Sequence, residues 1–236
     1  MEINKLPFQN KINLFNYLSE FILEKRLSRF NEVIKNRTRH ITIVLEDIYQ
    51  PHNASAVLRS CECFGVQDVH VIENKNQYNV NPDVALGSSK WLSIYKYGKT
   101  ENNTALCVNS LKEKGYKIIA ATPHKNDVLI NELPLDNKVA LMFGTEVRGL
   151  TPEAMDMADG YVKIPMHGFT ESFNISVSAA ICLYELTERL RRNYSHYYLS
   201  DEETIELKIQ WILNTVNKPN MLLEKFFSEN PINLKD

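Results

Sequence analysis

The sequence predicts an α/β protein built on a mostly parallel β-sheet with helices on both faces. Two patterns carry this prediction. Short runs rich in β-branched residues recur between residues 40 and 164, and helical stretches separate most of them. Strands that alternate with helices pair in parallel and are buried on both sides. We predict strands at 41–45, 69–72, 117–121, 139–143 and 161–164, with a weaker candidate at 93–97, and helices at 54–64, 103–114, 152–158 and 175–191.

The two ends of the chain are predicted to be helical. Apolar residues recur at intervals of three and four between residues 12 and 34, with charges between them, which is typical of an amphipathic helix. After residue 192 comes a tyrosine-rich linker, and then two apolar-faced segments separated by Lys-Pro-Asn at 218–220. We therefore divide the chain into a helical N-terminal arm at 1–39, an α/β body at 40–193 and a helical C-terminal extension at 194–236.

The composition is that of an ordinary globular protein, since 44% of the 236 residues are apolar and 24% are charged. No apolar stretch approaches the roughly 20 residues that a membrane-spanning helix needs. The first residues also lack the basic-then-apolar layout of a secretory signal. The four cysteines are scattered, so their spacing indicates neither a disulfide framework nor a zinc site. We therefore expect a cytoplasmic protein with reduced thiols, no metal and no membrane partner.

Charge gives one local signal. The formal net charge of −2 provides no global attraction for nucleic acid. Residues 24–39, however, hold six basic and two acidic side chains, a local excess of +4. If the protein binds RNA, we expect this segment to contact phosphates through Arg26, Arg29, Arg37 and Arg39. The alternative is a solvated basic helix face.

Residues 51–59 follow the first predicted strand and read Pro-His-Asn-Ala-Ser-Ala-Val-Leu-Arg. We predict that Asn53 caps the following helix and that Gly65 ends it. Arg59 then lies six residues further on, roughly 9 Å along the helix axis. A functional role for Arg59 competes with a plain surface pairing with Glu62, three residues later.

Residues 143–150 read Phe-Gly-Thr-Glu-Val-Arg-Gly-Leu and begin where a buried strand is predicted to end. Ligands bind at this edge of open parallel sheets. Gly144 and Gly149 permit tight turns and the close approach of a ligand. Because the spacing is not that of a phosphate-binding loop, a simple strand-to-helix turn is the alternative.

Residues 164–180 read Ile-Pro-Met-His-Gly-Phe-Thr-Glu-Ser-Phe-Asn-Ile-Ser-Val-Ser-Ala-Ala. This is a strand end, a loop with proline and glycine, and the start of a helix with small residues. Ser172 and Asn174 are residue types that cap helices. Capping alone is therefore the alternative to a catalytic role for these two residues.

Taken together, the three segments resemble the signature motifs of the SpoU/TrmH branch of the SPOUT methyltransferases. The first resembles that family's Asn-x-x-(small)-x-x-Arg motif, and the second matches its Phe-Gly-x-Glu-x-x-Gly motif. The third matches Ile-Pro-Met-x-Gly-x-x-x-Ser-(Leu)-Asn, with Phe173 where leucine is usual. The resemblance runs from about residue 25 to 192. It is strongest to the members that methylate guanosine ribose in tRNA, whose pattern residues 87–92 and 121–124 also fit.

The resemblance implies a fold, a cofactor and an assembly. The fold is the SPOUT fold, with a trefoil knot near the C-terminal part of the body, and the assembly is a homodimer whose protomers share the active site. The implied cofactor is S-adenosylmethionine, in a pocket lined by Thr122, Gly144, Ile164, Met166 and Phe173. The positions that match catalytic or near-catalytic residues of the family are Arg59, Asn53, Glu146, Ser172 and Asn174.

The implied reaction is 2′-O-methylation of a ribose in RNA, and the expected target is guanosine 18 in the D-loop of tRNA. The family assigns the arginine of the first motif as general base. Since a guanidinium has a pKa above about 12, a phosphate clamp that stabilises charge on the 2′-oxygen is the alternative role for Arg59. Methylation of 23S rRNA and a non-catalytic SPOUT-fold RNA-binding protein are the competing functions. A nicotinamide oxidoreductase is disfavoured, because residues 51–59 contain no Gly-x-Gly-x-x-Gly.

Overall fold

The computed structural model describes residues 3–76, 87–123, 128–146, 148–195 and 197–230. The chain forms two compact units. One comprises residues 38–197, and the other comprises residues 1–37 together with residues 198–236. The two ends of the chain thus belong to one helical unit, whereas the sequence patterns describe them as a separate arm and extension. Histidine 124, which the family resemblance includes, lies outside the described residues.

The larger unit contains a sheet of seven parallel strands among the described residues. The strands are β1 Ile41–Glu46, β2 Asp68–Ile72, β3 Ser93–Tyr97, β4 Tyr116–Ala121, β5 Val128–Leu129, β6 Lys138–Phe143 and β7 Gly160–Lys163. Their order across the sheet is β3-β2-β1-β6-β4-β7-β5. The predicted parallel α/β class is therefore confirmed, including the weaker strand candidate at 93–97.

Helices cover both faces of this sheet. The α-helices are α1 Phe8–Ser19, α2 Glu24–Val33, α3 Pro51–Phe64, α4 Asn103–Glu113, α5 Pro152–Met157, α6 Ile175–Asn193, α7 Asp201–Leu213 and α8 Pro219–Glu229. Neighbouring residues of β1 point to opposite sides, so Leu45 packs in one core with α3 and α6, and Val44 packs in another with α4 and α5. All six residues of β1 are buried as a result. None of the helices in the described ranges is long and apolar enough to span a bilayer.

The parallel arrangement brings the three motif segments to one edge of the sheet. The first segment follows β1, the second follows β6 and the third follows β7. β1 and β6 are hydrogen-bonded neighbours, with Leu45 opposite Phe143. β4, which leads to Thr122, lies between β6 and β7. Segments that are distant in sequence therefore begin side by side at the carboxyl edge, where ligands bind in open parallel sheets.

The helical unit contains α1, α2, α7 and α8. Its interior holds a lysine, Lys11, which is 1% exposed and forms ion pairs with Glu202 at 2.5 Å and Glu206 at 2.6 Å. The same ammonium donates to the backbone carbonyl of Asn4 at 3.1 Å, so all three of its N–H groups are used. These contacts join α1 to α7 and thus join the two ends of the chain.

The single helical stretch expected between residues 12 and 34 is two helices. α1 ends at Ser19, and Leu23 adopts an extended conformation (φ −65°, ψ 140°) before α2 begins. The hydroxyl of Ser19 donates back to the carbonyl of Phe15 at 2.7 Å, a contact that is common where helices bend or end. The sequence carried a sign of this break, since Ile22 and Leu27 are five residues apart and leave the three-and-four spacing.

Candidate active site

The loop between β6 and α5 is closed on itself. The backbone N–H of Thr145 donates to the carbonyl of Gly149 at 3.0 Å, and the N–H of Gly149 donates to the carbonyl of Thr145 at 2.9 Å. A Cβ atom at Gly144 would lie 2.1 Å from the carbonyl carbon of Gly149, and Gly149 itself has a φ of 68°. The shape of the loop therefore requires glycine at both positions. It leaves Glu146 exposed.

Side chains from all three motif segments meet in one hydrogen-bond network. Nδ2 of Asn53 donates to Oε1 of Glu146 at 2.9 Å. Nδ2 of Asn174 donates to the same carboxylate oxygen and to Oδ1 of Asn53, the latter at 3.1 Å. Asn53 is buried, whereas Glu146 and Asn174 are exposed. Because two amides hold one oxygen, the carboxylate is fixed in orientation at the edge of the sheet.

The helix caps in this region differ in part from those predicted. α3 begins at Pro51 with Gln50 at its N-cap, and Asn53 lies in the first turn. The prediction that Asn53 caps this helix is wrong, because proline is favoured at the first helical position and sets an earlier start. Asn174 does cap α6, since its Oδ1 accepts from the backbone N–H of Ser176 at 2.9 Å. Its Nδ2 remains in the network, so Asn174 performs both tasks.

A cleft of about 200 Å³ opens beside the network. It is lined by the ends of β4, β6 and β7, by the closed loop and by the start of α6. Glu146 and Ser172 also line it. The family resemblance assigns five residues to the cofactor, and the structure brings all five to this cleft: Thr122, Gly144, Ile164, Met166 and Phe173.

Cys182 also lines the cleft, from α6. Burial raises the pKa of the Cys182 thiol to about 12. The thiol therefore keeps its proton at neutral pH, and only the thiolate form of cysteine is a strong nucleophile. Cys182 is consequently not a nucleophile of this cleft.

Arg59 stands apart from the cleft. It is exposed on α3 and is not among the residues that line the cleft. Within the described ranges its guanidinium has no ion-pair partner, so the alternative pairing with Glu62 is not observed. A charged side chain left exposed in this way is available to a second molecule.

The four arginines expected to contact RNA fall into two groups. Arg26 and Arg29 are exposed on α2. Arg37 is 1% exposed, with its guanidinium 5.4 Å from the centre of the Trp211 ring, so the expectation that it contacts RNA is corrected: it is an internal residue of the helical unit. Arg39 forms an ion pair at 3.2 Å with an aspartate of β2 and is largely buried.

The sequence patterns missed two cations of the cleft, Arg148 and Lys163. Arg148 lies at a variable position of the second motif, and Lys163 is the last residue of β7. Their positions directly beside motif residues were the one signal that could have indicated them.

The fold and the site together define an open parallel α/β protein with a ligand cleft at its carboxyl edge, beside a carboxylate held by two amides. The SpoU rRNA methylase family matches residues 40–184, which is more than half of the chain. The chain belongs to this family, and the resemblance inferred from the three motifs is confirmed.

Individual relatives refine this assignment. The tRNA (guanosine(18)-2′-O)-methyltransferase of Borreliella burgdorferi is 43% identical over 216 residues, which cover 92% of this chain and 94% of that protein. The crystal structure of the TrmH/SpoU tRNA modifying enzyme of A. aeolicus has a TM-score of 0.74 at 30% identity, covering 83% of this chain and 98% of that chain. The 23S rRNA (guanosine-2′-O-)-methyltransferase RlmB of Coxiella burnetii is 30% identical over 155 residues, 64% of this chain and 60% of that protein.

Proposed function

We propose that the protein transfers a methyl group from S-adenosylmethionine to the 2′-oxygen of guanosine 18 in tRNA. The observation that carries this proposal is the meeting of Asn53, Glu146 and Asn174 beside a cleft lined by all five expected cofactor residues. The relative named for guanosine 18 of tRNA matches this chain over almost its whole length, whereas the 23S rRNA relative matches over a smaller part. This difference favours tRNA. A tRNA substrate in turn implies action in the cytoplasm.

The residues of the cleft fit S-adenosylmethionine. Gly144 carries no side chain, so the two ends of the closed loop can pack against each other and form one wall of the cleft. Ile164 and Met166 provide apolar walls suited to a flat adenine ring, and the carboxylate of Glu146 suits a cationic ligand. When bound, S-adenosylmethionine supplies an electrophilic methyl group on its sulfonium centre.

The polar residues orient the ribose and stabilise charge on it. Oε1 of Glu146 accepts from both amides, which leaves Oε2 to accept from a ribose hydroxyl. The guanidinium of Arg59 clamps a phosphate and stabilises the negative charge that develops on the 2′-oxygen, whose proton passes to solvent water as the methyl group is transferred. Arg26 and Arg29 contribute further phosphate contacts.

The site is completed by a second copy of the chain. Arg59 lies outside the cleft lining of its own protomer, which supports a homodimer in which it serves the cleft of the partner. Val177 and Tyr184 on α6 are seven residues apart, on one helix face, and are 44% and 56% exposed. Such an apolar face is suited to contact with another copy. The trefoil knot implied by the family resemblance is also part of this proposal.

Mixed dimers test the shared site. The variants Arg59→Ala and Gly144→Val, each expected to be inactive by itself, are co-expressed with different tags, and the dimers carrying both tags are purified. One of the two sites then combines an intact cleft with an intact Arg59, so methyl transfer to tRNA should return. Inactive mixed dimers, or a fully active monomer in light scattering, would contradict the proposal.

The substrate is tested by offering the purified protein, with labelled S-adenosylmethionine, three kinds of RNA. These are a full-length tRNA, the same tRNA with adenosine at position 18, and fragments of 23S rRNA. We expect label in the first RNA alone. Equal label in the first two would refute guanosine 18 as the target, and label only in the rRNA fragments would establish the competing function.

A further inference from the structure

Glu46, the last residue of β1, carries a carboxylate inside the protein and is 1% exposed. Its Oε2 accepts from the backbone N–H of Thr151 at 2.8 Å. Its Oε1 accepts from the hydroxyls of Thr151 at 2.8 Å and Thr104 at 2.7 Å. Each hydroxyl oxygen also accepts an N–H hydrogen bond, at 3.2 Å from Ala154 and at 2.9 Å from Asn74, so each turns its one hydrogen toward Glu46.

This arrangement is costly if its only purpose is to fill space. Burial of a carboxylate is unfavourable, and an apolar side chain of similar volume would occupy the same place at lower cost. What the carboxylate supplies instead is a fixed geometry. It holds both the main chain and the side chain of Thr151, the residue at which the loop after β6 ends and α5 begins.

The closed loop depends on this attachment for its orientation. Two backbone hydrogen bonds between Thr145 and Gly149 close the base of the loop. Its direction is then set by its two ends, at Phe143 and at Thr151. Phe143 is already paired with β1, and Glu46 ties the other end to the same strand. Both ends of the loop are therefore held by β1, the strand that also leads to Asn53.

We propose that Glu46 is a positioning residue of the methyl-transfer site. By holding Thr151 it sets the angle of the closed loop, and thereby places Glu146 against Asn53 and Asn174. The inference rests on the proposed function, because that function assigns the loop to cofactor binding. Without the carboxylate, the loop keeps its internal hydrogen bonds but its orientation relative to β1 is no longer fixed.

The test uses the full-length variant Glu46→Gln, which keeps the size of the side chain. Its amide N–H groups would replace one acceptor oxygen and face the donors of Thr151 or Thr104. We expect the Kd for S-adenosylmethionine in calorimetry to rise about tenfold or more, the range that an unpaired buried polar group produces. Hydrogen–deuterium exchange in residues 144–151 should also become faster. The matched control is Thr104→Val, which removes a bond to the same carboxylate from α4, away from the loop. It should leave both readouts within about twofold of wild type.

Two results would overturn the proposal. One is a Glu46→Gln variant with wild-type affinity and exchange, and the other is an equal loss in Thr104→Val, which would indicate a general role in stability. If Glu46→Gln does not fold, the pair Thr151→Ala and Thr151→Ser decides, because serine keeps the hydroxyl and should keep the affinity, while alanine should lose it. Equal affinities in that pair would refute the inference.

A wild-type protein that binds no S-adenosylmethionine would refute the proposed function instead. The exchange measurement needs no cofactor, so it would still decide whether Glu46 holds the loop.

Discussion

At the level of single residues, the backbone at Gly144 leaves no room for a side chain. A Cβ there would lie 2.1 Å from the carbonyl carbon of Gly149 and 2.2 Å from the nitrogen of Leu150. Both atoms belong to the main chain, so no side-chain rotation can relieve the overlap. The backbone at Gly144 would have to move away from the backbone at Gly149 and Leu150. Gly168, in the loop after β7, has no atom within 4 Å of the same position. It is therefore a matched control in the third motif.

We expect Gly144→Ala to raise the Kd for S-adenosylmethionine about tenfold or more, because overpacking of this kind costs about 1–3 kcal/mol. Gly168→Ala should remain within about twofold of wild type. Isothermal calorimetry on both variants, with circular dichroism to establish that they fold, makes the comparison. Similar affinities for the two variants would show that the closed loop does not form the cofactor pocket.

Arg59 is expected to act on turnover alone. Arg59→Lys should lower kcat about a hundredfold, because one ammonium does not reproduce a planar, bidentate guanidinium. The exposed position of Arg59 on α3 predicts unchanged thermal stability and unchanged cofactor affinity. Arg29→Lys, a second exposed arginine, is the control and should retain kcat. A variant at position 59 with wild-type kcat would remove Arg59 from the active site.

Residue identity could be predicted where local motif chemistry decides it. Gly144, Glu146 and Asn174 were assigned to the site because three segments together resemble the family's motifs, whereas their spacing alone left a plain turn and a helix cap as alternatives. The burial of Arg37 could not be predicted in this way. Its position over Trp211 depends on packing between segments from opposite ends of the chain, and the local charge count is the same whether a guanidinium is buried or exposed.

At the scale of elements, the strands with continuous apolar runs were predictable to within a residue or two. β1 and β6 are buried on both faces, and such strands read as unbroken apolar runs. β5 was not predictable, because a strand of two residues is too short to show an alternation of apolar and polar side chains. The start of α3 was placed three residues late, since its first turn is polar and the apolar pattern begins only at Ala54.

β2 contributes a buried histidine, His70, which makes its part of the sheet sensitive to acid. The ring is 2% exposed and stacks on Tyr95 and Tyr97, with ring centres 4.8 Å and 5.8 Å away. Burial, aided by the positive charge of Lys114, lowers the pKa of His70 to about 3. The unfolded chain therefore binds a proton between about pH 6.5 and pH 3 that the folded protein does not bind.

The stability of this unit should consequently fall as the pH decreases from about 6.5 toward 3. His70 contributes up to about 1.4 kcal/mol per pH unit to that fall. In His70→Phe the free energy of unfolding should decrease less steeply over the same window, while the other titrating groups act equally in both proteins. Urea titrations at several pH values measure the two slopes. Parallel slopes would contradict the buried, neutral state of His70.

At the scale of the whole molecule, one lysine joins the beginning of the chain to its end. Lys11 in α1 is buried between Glu202 and Glu206 of α7, which lie 191 and 195 residues later in the sequence. Its three hydrogen bonds satisfy the ammonium completely, so removal of the charge leaves the two carboxylates facing each other. No local pattern predicts such a pair, because its members have no fixed sequence separation.

We expect Lys11→Met to lower the free energy of unfolding of the helical unit by about 1–2 kcal/mol, less than for a fully buried pair, because Lys11 is buried but Glu202 and Glu206 are 54% and 25% exposed. Arg29→Met is the control, because its pair with Glu32 is exposed, at 73% and 65%, and exposed pairs contribute roughly 0–1 kcal/mol. Chemical denaturation followed by far-ultraviolet circular dichroism measures both. Equal effects would mean that the buried pair does not hold the two ends together.

In the proposed function, Asn53, Glu146 and Asn174 belong to a site for methyl transfer to the ribose of guanosine 18. Mass spectrometry of nuclease fragments tests this function, using tRNA incubated with S-adenosylmethionine and either the wild-type protein or the folded variant Asn174→Ala. The wild-type protein should add one methyl group to the ribose of guanosine 18, and the variant should add about a hundredfold less. An unmethylated guanosine 18 after incubation with folded, cofactor-binding wild-type protein, or a methyl group at another nucleotide, would contradict the account.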